Sequence, residues 1–392
     1  MAAAWIVIRD ALLVGAFAPL GYYLVAIVAG ERFFRAAARD AAGAAAASTD
    51  LFPPVSILKP IRGLDRETYE NYASFCRQDY PEYEILFCVS DESDPAVEVI
   101  RKIIADFPEQ AVRLLVGAQA VGASDKVNKL CRMAREARHD LLVVSDSDVR
   151  VDSGHLRAVV APLRDAHVGG VTCLYRGLTD GSMAANLEAI GNSADFAPGV
   201  LVAWLMSGRS LDFMLGATMA VRKERLAEIG GFEALADYFC DDYELGNRIA
   251  ARGHHVQLSA QPVEIVYPRQ TLGDAWRHQL RWNLSIRYSR PWGHAGLVFT
   301  HGLPWAVLGA ILAPATLLGW IYIAGYFLLR SEMALTVGAR GMKDPLAREK
   351  IWMLPLRDAF AFLVWVVSFF QQRIYWRGRR FYVRERRLVA AD

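Results

Sequence analysis

Leu141-Leu142-Val143-Val144-Ser145-Asp146-Ser147-Asp148 runs from four apolar side chains straight into two carboxylates, two residues apart. A short, continuous apolar run of this kind predicts a strand buried on both faces, as in a parallel sheet. Similar runs precede and follow it at 55–58, 84–89, 112–116 and 170–174. Between them, 67–77, 96–107 and 126–138 carry helical spacing of apolar residues. Strands alternating with helices predict right-handed βαβ units, and so an α/β domain built on a mainly parallel sheet. In such sheets a ligand binds beyond the carboxyl ends of the strands, which singles out the acids at the ends of these runs.

The 141–145 strand ends in Asp146 and Asp148, and the 84–89 strand ends in Ser90-Asp91-Glu92-Ser93-Asp94-Pro95. Carboxylates spaced i, i+2 at a strand end can converge on one hard cation, which takes oxygen ligands. Such a cation would neutralise charge on a diphosphate leaving group. The structural alternative for the pair is a turn with an Asp cap on the next helix. Asp91 reads either as an acceptor for a nucleobase or ribose or as a loop cap, and Asp94 reads as the cap of the following helix. Further on, Gly216 would let backbone approach a ligand closely. Asp241-Asp242 opens a helix, where one acid suffices for the dipole. The second, Asp242, is then a candidate general base toward a hydroxyl. Trp276-Arg277-His278-Gln279-Leu280-Arg281-Trp282 reads as phosphate-facing or as an amphipathic helix at a membrane surface.

The composition sets this domain in a wider frame. Of 392 residues, 54% are hydrophobic and 22% charged, against about 45–50% and 25% for soluble chains. Disorder is excluded by the apolar content. A disulfide framework is excluded by five scattered cysteines, Cys76, Cys88, Cys131, Cys173 and Cys240, which read as reduced cytosolic thiols. A net charge of +2 gives no argument for a nucleic-acid partner. The chain shows no internal repeat.

The apolar excess sits at the two ends. Residues 11–30 are uncharged, about the length of one crossing, and are succeeded by Arg32, Arg35 and Arg39. Basic residues after the run place the next part of the chain on the cytoplasmic side and disfavour a signal peptide. An Ala-rich linker is expected at 41–48, closed by Pro53-Pro54. Residues 303–329 carry no charge and contain Pro314, which fits one kinked helix or a tight hairpin. Residues 354–370 are broken only by Arg357 and Asp358, and the tail carries Arg373, Arg377, Arg379, Arg380, Arg384, Arg386 and Arg387. The favoured topology has two C-terminal crossings joined by an external loop over 331–353, with a hairpin plus an interfacial helix as the alternative. The expected division is an anchor at 5–30, an α/β domain at 53–290, a membrane region at 296–372 and a basic cytoplasmic tail at 373–392.

In order, Ser56-Ile57-Leu58-Lys59-Pro60-Ile61-Arg62-Gly63, Gln78-Asp79-Tyr80-Pro81, Asp91, Asp146-Ser147-Asp148, Asp242-Tyr243 and Arg281-Trp282 resemble the inverting family 2/21 glycosyltransferases of the GT-A fold. The ceramide glucosyltransferase-like branch is the nearest in its motifs. Val171 to Gly177, the box at 277–282 and Trp376 to Phe381 are similar to bacterial enzymes that glycosylate hopanoid lipids. The resemblance implies a membrane-bound enzyme, in a bacterial inner membrane with its catalytic domain cytoplasmic. It would move glucose or an N-acetylglucosamine-type sugar from a UDP-sugar to a ceramide- or hopanoid-like lipid hydroxyl. It further implies that Asp91 binds uridine, that Lys126 lies near the nucleotide, and that Asp146 and Asp148 hold Mg2+ or Mn2+ and the diphosphate. Asp242 would be the base. Arg281 and Trp282 would belong to a (Q/R)xxRW box near the diphosphate, and here His278 stands where that box has Gln or Arg. The alternatives are a processive polysaccharide synthase, for which the hydrophobic segments are few, and a non-catalytic nucleotide-sugar-binding membrane protein.

Overall fold

Eight strands form one sheet in the order β3-β2-β1-β4-β7-β6-β8-β5. They are β1 (Val55–Pro60), β2 (Tyr83–Val89), β3 (Ala111–Val116), β4 (Leu141–Ser145), β5 (Val149–Arg150), β6 (Val168–Leu178), β7 (Thr218–Arg222) and β8 (His255–Val266). The computed structural model describes residues 2–46, 52–371, 373–376 and 379–390. It divides into two units, one of residues 39–180, 206–268 and 372–392, the other of residues 1–38, 181–205 and 269–371.

In the first unit β1 lies between β2 and β4 and runs parallel to both, with Leu58 opposite Leu86 and Val144. β3 extends the parallel set beyond β2. β1, β2 and β4 are buried along their whole length, which is why their sequences do not alternate. Helices Thr68–Cys76, Ala96–Asp106 and Asp125–Glu136 link these strands and fall within two residues of the ranges expected. The mainly parallel α/β reading therefore holds.

The sheet also contains strands the sequence did not announce. β7 runs antiparallel between β4 and β6, pairing Ser145 with Thr218. That reversal brings the Leu215–Ala217 turn to the same edge as the carboxyl ends of β1, β2 and β4. β8 pairs parallel with β6 and skips register opposite Cys173 and Tyr175. Pro262 stands within the skipped residues of β8, where its missing N–H costs no ladder bond. The polar letters His255, Gln257, Ser259 and Gln261 hide β8 from an apolar-run reading.

The basic tail is a second surprise. It folds as a three-stranded antiparallel meander of β9 (Arg373–Trp376), β10 (Arg379–Arg384) and β11 (Arg387–Ala390). Residues 372, 377, 378, 391 and 392 lie outside the described residues.

The second unit is helical. Helix Ala2–Gly15 turns at Ala16-Phe17 into Ala18–Ala46. The expected linker at 41–48 is thus helical as far as Ala46, since alanine is the best helix former. The rest of that linker lies outside the described residues. Residues 3–39 and Ile351–Ser368 are long and apolar enough to cross a membrane, and the bent pair Pro291–Thr300 and Gly302–Leu312 would be a third crossing if taken as one span. Residues 303–329 form the hairpin rather than one kinked helix. Gly302–Leu312 and Leu317–Met333 flank the turn containing Pro314. A Cβ on Gly309 would lie 2.4 Å from the Tyr322 ring, so only glycine admits this close approach.

Residues 331–353, expected as an open external loop, are largely helical and packed. They contain Ala334–Gly341, Pro345–Glu349 and Ile351–Met353. Ser193 donates to the buried Asp344 carboxylate at 2.6 Å. Arg357 and Asp358, which interrupt the apolar run, turn inward and are paired. Arg330 donates to Asp358 at 2.7 Å and also to Asp195, while Arg357 donates to Asp195 at 2.7 Å. Charges inside an apolar bundle persist when matched in this way. Large apolar side chains such as Leu317, Trp320, Leu328 and Phe370 remain exposed, as a surface meeting lipid would.

Candidate functional site

Asp146 leaves β4 directly after the buried Ser145. Its backbone carbonyl accepts from the buried Lys59 ammonium at 2.8 Å, and its Oδ1 lies 2.8 Å from Lys126 Nζ. Lys126 stands in the first turn of Asp125–Glu136, a helix whose N-cap is the Ser124 hydroxyl, accepting from Val127 N. Lys126 also lies 3.5 Å from Asp241. Burial works against its charge, but Asp146, Asp241 and Asp242 hold it protonated, above its ordinary value. Lys59, buried with weaker compensation, is pushed down to about 7.

Asp242 lies in the first turn of Asp241–Ala251. Its Oδ2 accepts from Gly216 N at 2.9 Å and its Oδ1 from Tyr243 N at 2.8 Å. A Cβ added to Gly216 would be 3.1 Å from Asp242 Oδ2 and 3.5 Å from Asp146 Oδ2. Gly216 thus marks where the carboxylates of Asp146 and Asp242 converge, and its lack of a side chain leaves that space open. Burial, and then the charge of Asp241, push Asp242 up to about 6. Burial and the Asp146 charge push Asp148 up to about 7.

Among the described residues no three His, Cys, Asp or Glu side chains gather as a complete metal cage. The donor set is nevertheless that of a hard cation. Asp146 and Asp148 are hard oxygen donors; burial and then the Asp146 charge raise Asp148, and a divalent ion would relieve the repulsion. Such an ion would take its other ligands from a diphosphate and water, as Mg2+ commonly does.

Asp91 stands apart from this group in its contacts. It is exposed, and its Oδ1 accepts from Ser93 N at 2.8 Å. The Ser93 hydroxyl and amide hold it below the usual carboxylate range. Asp94 caps as expected, accepting from Ala96 N, and also takes Gly63 N.

His278, Arg281 and Trp282 lie on Leu272–Ser289 in the helical unit. The His278 ring packs on Trp282 with centroids 4.9 Å apart, and its Nδ1 bonds Glu188 Oε1. Gln279 and Gln270 donate to the same buried carboxylate at 3.0 and 2.6 Å. Burial alone would raise Glu188, but these hydrogen bonds hold it below its ordinary value. Sequence reading passed over Glu188 and quoted Lys59 within the 56–63 string without giving it a role. Each is the lone charge in an otherwise uncharged buried element, Met183–Gly191 and Val55–Pro60 respectively, and that isolation is the signal available.

A mixed, mostly parallel sheet thus gathers acids and a lysine at the carboxyl edge of its parallel strands. The chain belongs to glycosyl transferase family 21, whose family model matches residues 11–389. Among its relatives is ceramide glucosyltransferase 3 of Caenorhabditis elegans, 27% identical over 350 residues, covering 84% of this chain and 73% of that one. Ceramide glucosyltransferase 1 of the same organism is 30% identical, with 54% and 45% covered. The ceramide glucosyltransferase of Komagataella phaffii is 36% identical over 28% of this chain and 22% of its own. The chain thus spans about three quarters of the first relative and under half of the other two. A solved mannosyltransferase from Pyrobaculum calidifontis, in complex with GDP-Man and Mn2+, is similar at 18% identity and a TM-score of 0.47, covering 91% of this chain and 99% of that one.

Proposed function

We propose that the chain transfers glucose or an N-acetylglucosamine-type sugar from a UDP-sugar to the hydroxyl of a membrane lipid, ceramide- or hopanoid-like, with inversion. The observation that carries this reading is the convergence of Asp146, Lys126 and Asp242 beside the open space at Gly216. The similarity to ceramide glucosyltransferases supports a lipid acceptor.

Asp242 takes the proton of the acceptor hydroxyl as that oxygen attacks the anomeric carbon. The bond from that carbon to the diphosphate breaks in the same in-line step, and UDP departs with the electron pair. Two backbone amides fix the Asp242 carboxylate, so its orientation costs little at the moment of reaction. Lys126 holds a positive charge beside the departing diphosphate. Asp146 and Asp148 would hold Mg2+ or Mn2+, which supplies further charge neutralisation to the leaving group. Asp91 is assigned to the uridine, and His278, Arg281 and Trp282 to the diphosphate and acceptor side. The membrane-spanning segments anchor the enzyme in an inner membrane of bacterial type, with the α/β unit in the cytoplasm.

The test is expression in a host lacking glycolipids, with the new lipid identified by mass spectrometry, and UDP release followed in membranes with divalent metal. A new monoglycosylated lipid and stoichiometric UDP are expected. A polymeric product, or no UDP release with any lipid extract, overturns the reading.

A further inference from the structure

The tail meander is tied to the polypeptide that carries Asp242. β11 pairs with the segment just before the Asp241–Ala251 helix: Phe239 N donates to Arg386 O at 3.0 Å and Leu388 N to Asp237 O at 2.8 Å. Leu388 is buried in this junction. The Arg386 guanidinium lies 3.2 Å from the buried Glu244 carboxylate and 5.9 Å from the Tyr243 ring centre. Both residues share the first turn with Asp242, and Tyr243 N is one of the two amides that orient it. The same segment reaches the lysine side of the site. Ser124 N donates to Ala236 O at 2.9 Å and Ala123 N to Asp237 Oδ1 at 3.0 Å, immediately before Lys126.

The turn that makes these contacts is held in an unfavourable conformation. Glu385 and Arg386 join β10 to β11 with φ of 51° and 66°. A two-residue hairpin of this kind favours Asn-Gly, because side chains disfavour left-handed backbone. Strained residues persist where surrounding contacts over-determine them. Here those contacts are the Phe239 amide and Glu244.

We infer that the C-terminal hairpin is a strap that positions the Asp242 helix, with Arg386 as its positioning residue. The inference rests on the reading of Asp242 as the base. A distant contact of this kind acts on turnover rather than on donor binding, since small displacements of a catalytic group cost rate.

The experiment uses the full chain in detergent or nanodiscs, with Arg386→Ala and Arg386→Lys. Arg386→Ala is expected to lower kcat about ten-fold and to leave the KM for the donor within about two-fold, because it touches no donor contact. Arg386→Lys keeps the charge opposite Glu244 and is expected to recover most of kcat. Hydrogen exchange over residues 236–245 is expected to quicken in Arg386→Ala, with the melting temperature unchanged, because Arg386 is half-exposed and the buried Glu244 carboxylate keeps Arg248 at 3.5 Å. Unchanged kcat, or a loss matched by a fall in melting temperature and not recovered by lysine, overturns the strap. If the wild-type chain transfers no sugar, the proposed function fails instead. Exchange over 236–245 then decides the strap alone: quickening supports it, and unchanged protection overturns it.

Discussion

Two clusters of buried and partly buried charge, one in each unit, follow opposite rules. In the helical unit Asp195 and Asp358 meet Arg330 and Arg357, acid for base. At the sheet edge Asp146, Asp148, Asp241 and Asp242 face Lys126 and Lys59, so acids outnumber cations. The first cluster is complete as the chain folds. The second is left electrostatically unfinished, and burial first, then the neighbouring carboxylates, raises Asp148 and Asp242. A matched cluster holds helices together, whereas a mismatched one keeps an excess of negative charge, which the proposed metal ion would complete.

The sharpest way to break the contrast is Asp242→Asn. The amide keeps the size and one of the two acceptors, for Gly216 N or for Tyr243 N, but cannot take a proton. Turnover is expected to fall by about 10²–10⁴-fold, with UDP-sugar binding retained in a titration. Surviving turnover removes Asp242 as the base. For the wild type, a base raised to about 6 predicts that turnover climbs as pH rises through that value and then levels.

Arg330→Met attacks the matched cluster. It leaves the buried Asp358 without its guanidinium partner while Asp195 keeps Arg357, and breaking a buried pair costs about 3–5 kcal/mol. The loss is expected in the unfolding midpoint of the detergent-solubilised chain, as a fall of several degrees. A change of less than one degree would place this arginine outside the stabilising network.

Asp148→Asn is expected to have the opposite sign. A carboxyl raised from 3.8 to about 7 in the folded chain favours folding most at low pH, and that contribution is lost as pH climbs toward 7. In chelator at pH 8 the wild type therefore bears an unfavourable, partly buried charge that asparagine removes. The variant's melting temperature is expected to rise by about 2–4 °C, and the gain to vanish near pH 4. With Mg2+ or Mn2+ present the wild type is expected to gain and the variant not, if Asp148 is a ligand. Equal metal responses would remove Asp148 from the donor set.

How much of this was legible depended on the kind of signal. β1, β2 and β4 were readable because burial on both faces leaves an unbroken apolar run, and Asp146 was placed by the strand it ends. Asp242 and Gly216 were named from local pattern, but their meeting depends on β7 running antiparallel, which no local pattern records. β8 was lost because it alternates polar letters across a register break. The tail read as a charged surface, since its pairing with Asp237 and Phe239 is made across well over a hundred residues of chain. Arg357 and Asp358 read as an interruption of a membrane helix, and only their partners at 195 and 330 show why they are tolerated.

The smallest effect expected concerns the box whose first residue is His278. Its ring bonds Glu188 through Nδ1 and packs on Trp282. Glutamine, one of the two residues expected at that place in the resembled family, can offer Glu188 an amide N–H in the same way. His278→Gln is therefore expected to keep turnover within about three-fold, since one donor to Glu188 replaces another. Glu188→Leu removes the shared acceptor of His278, Gln279 and Gln270 at once and is expected to cost more. The comparison is read as kcat at saturating donor for both variants. If His278→Gln proves the more damaging, the imidazole acts beyond its bond to Glu188, and the helical unit contributes a group with acid–base chemistry of its own.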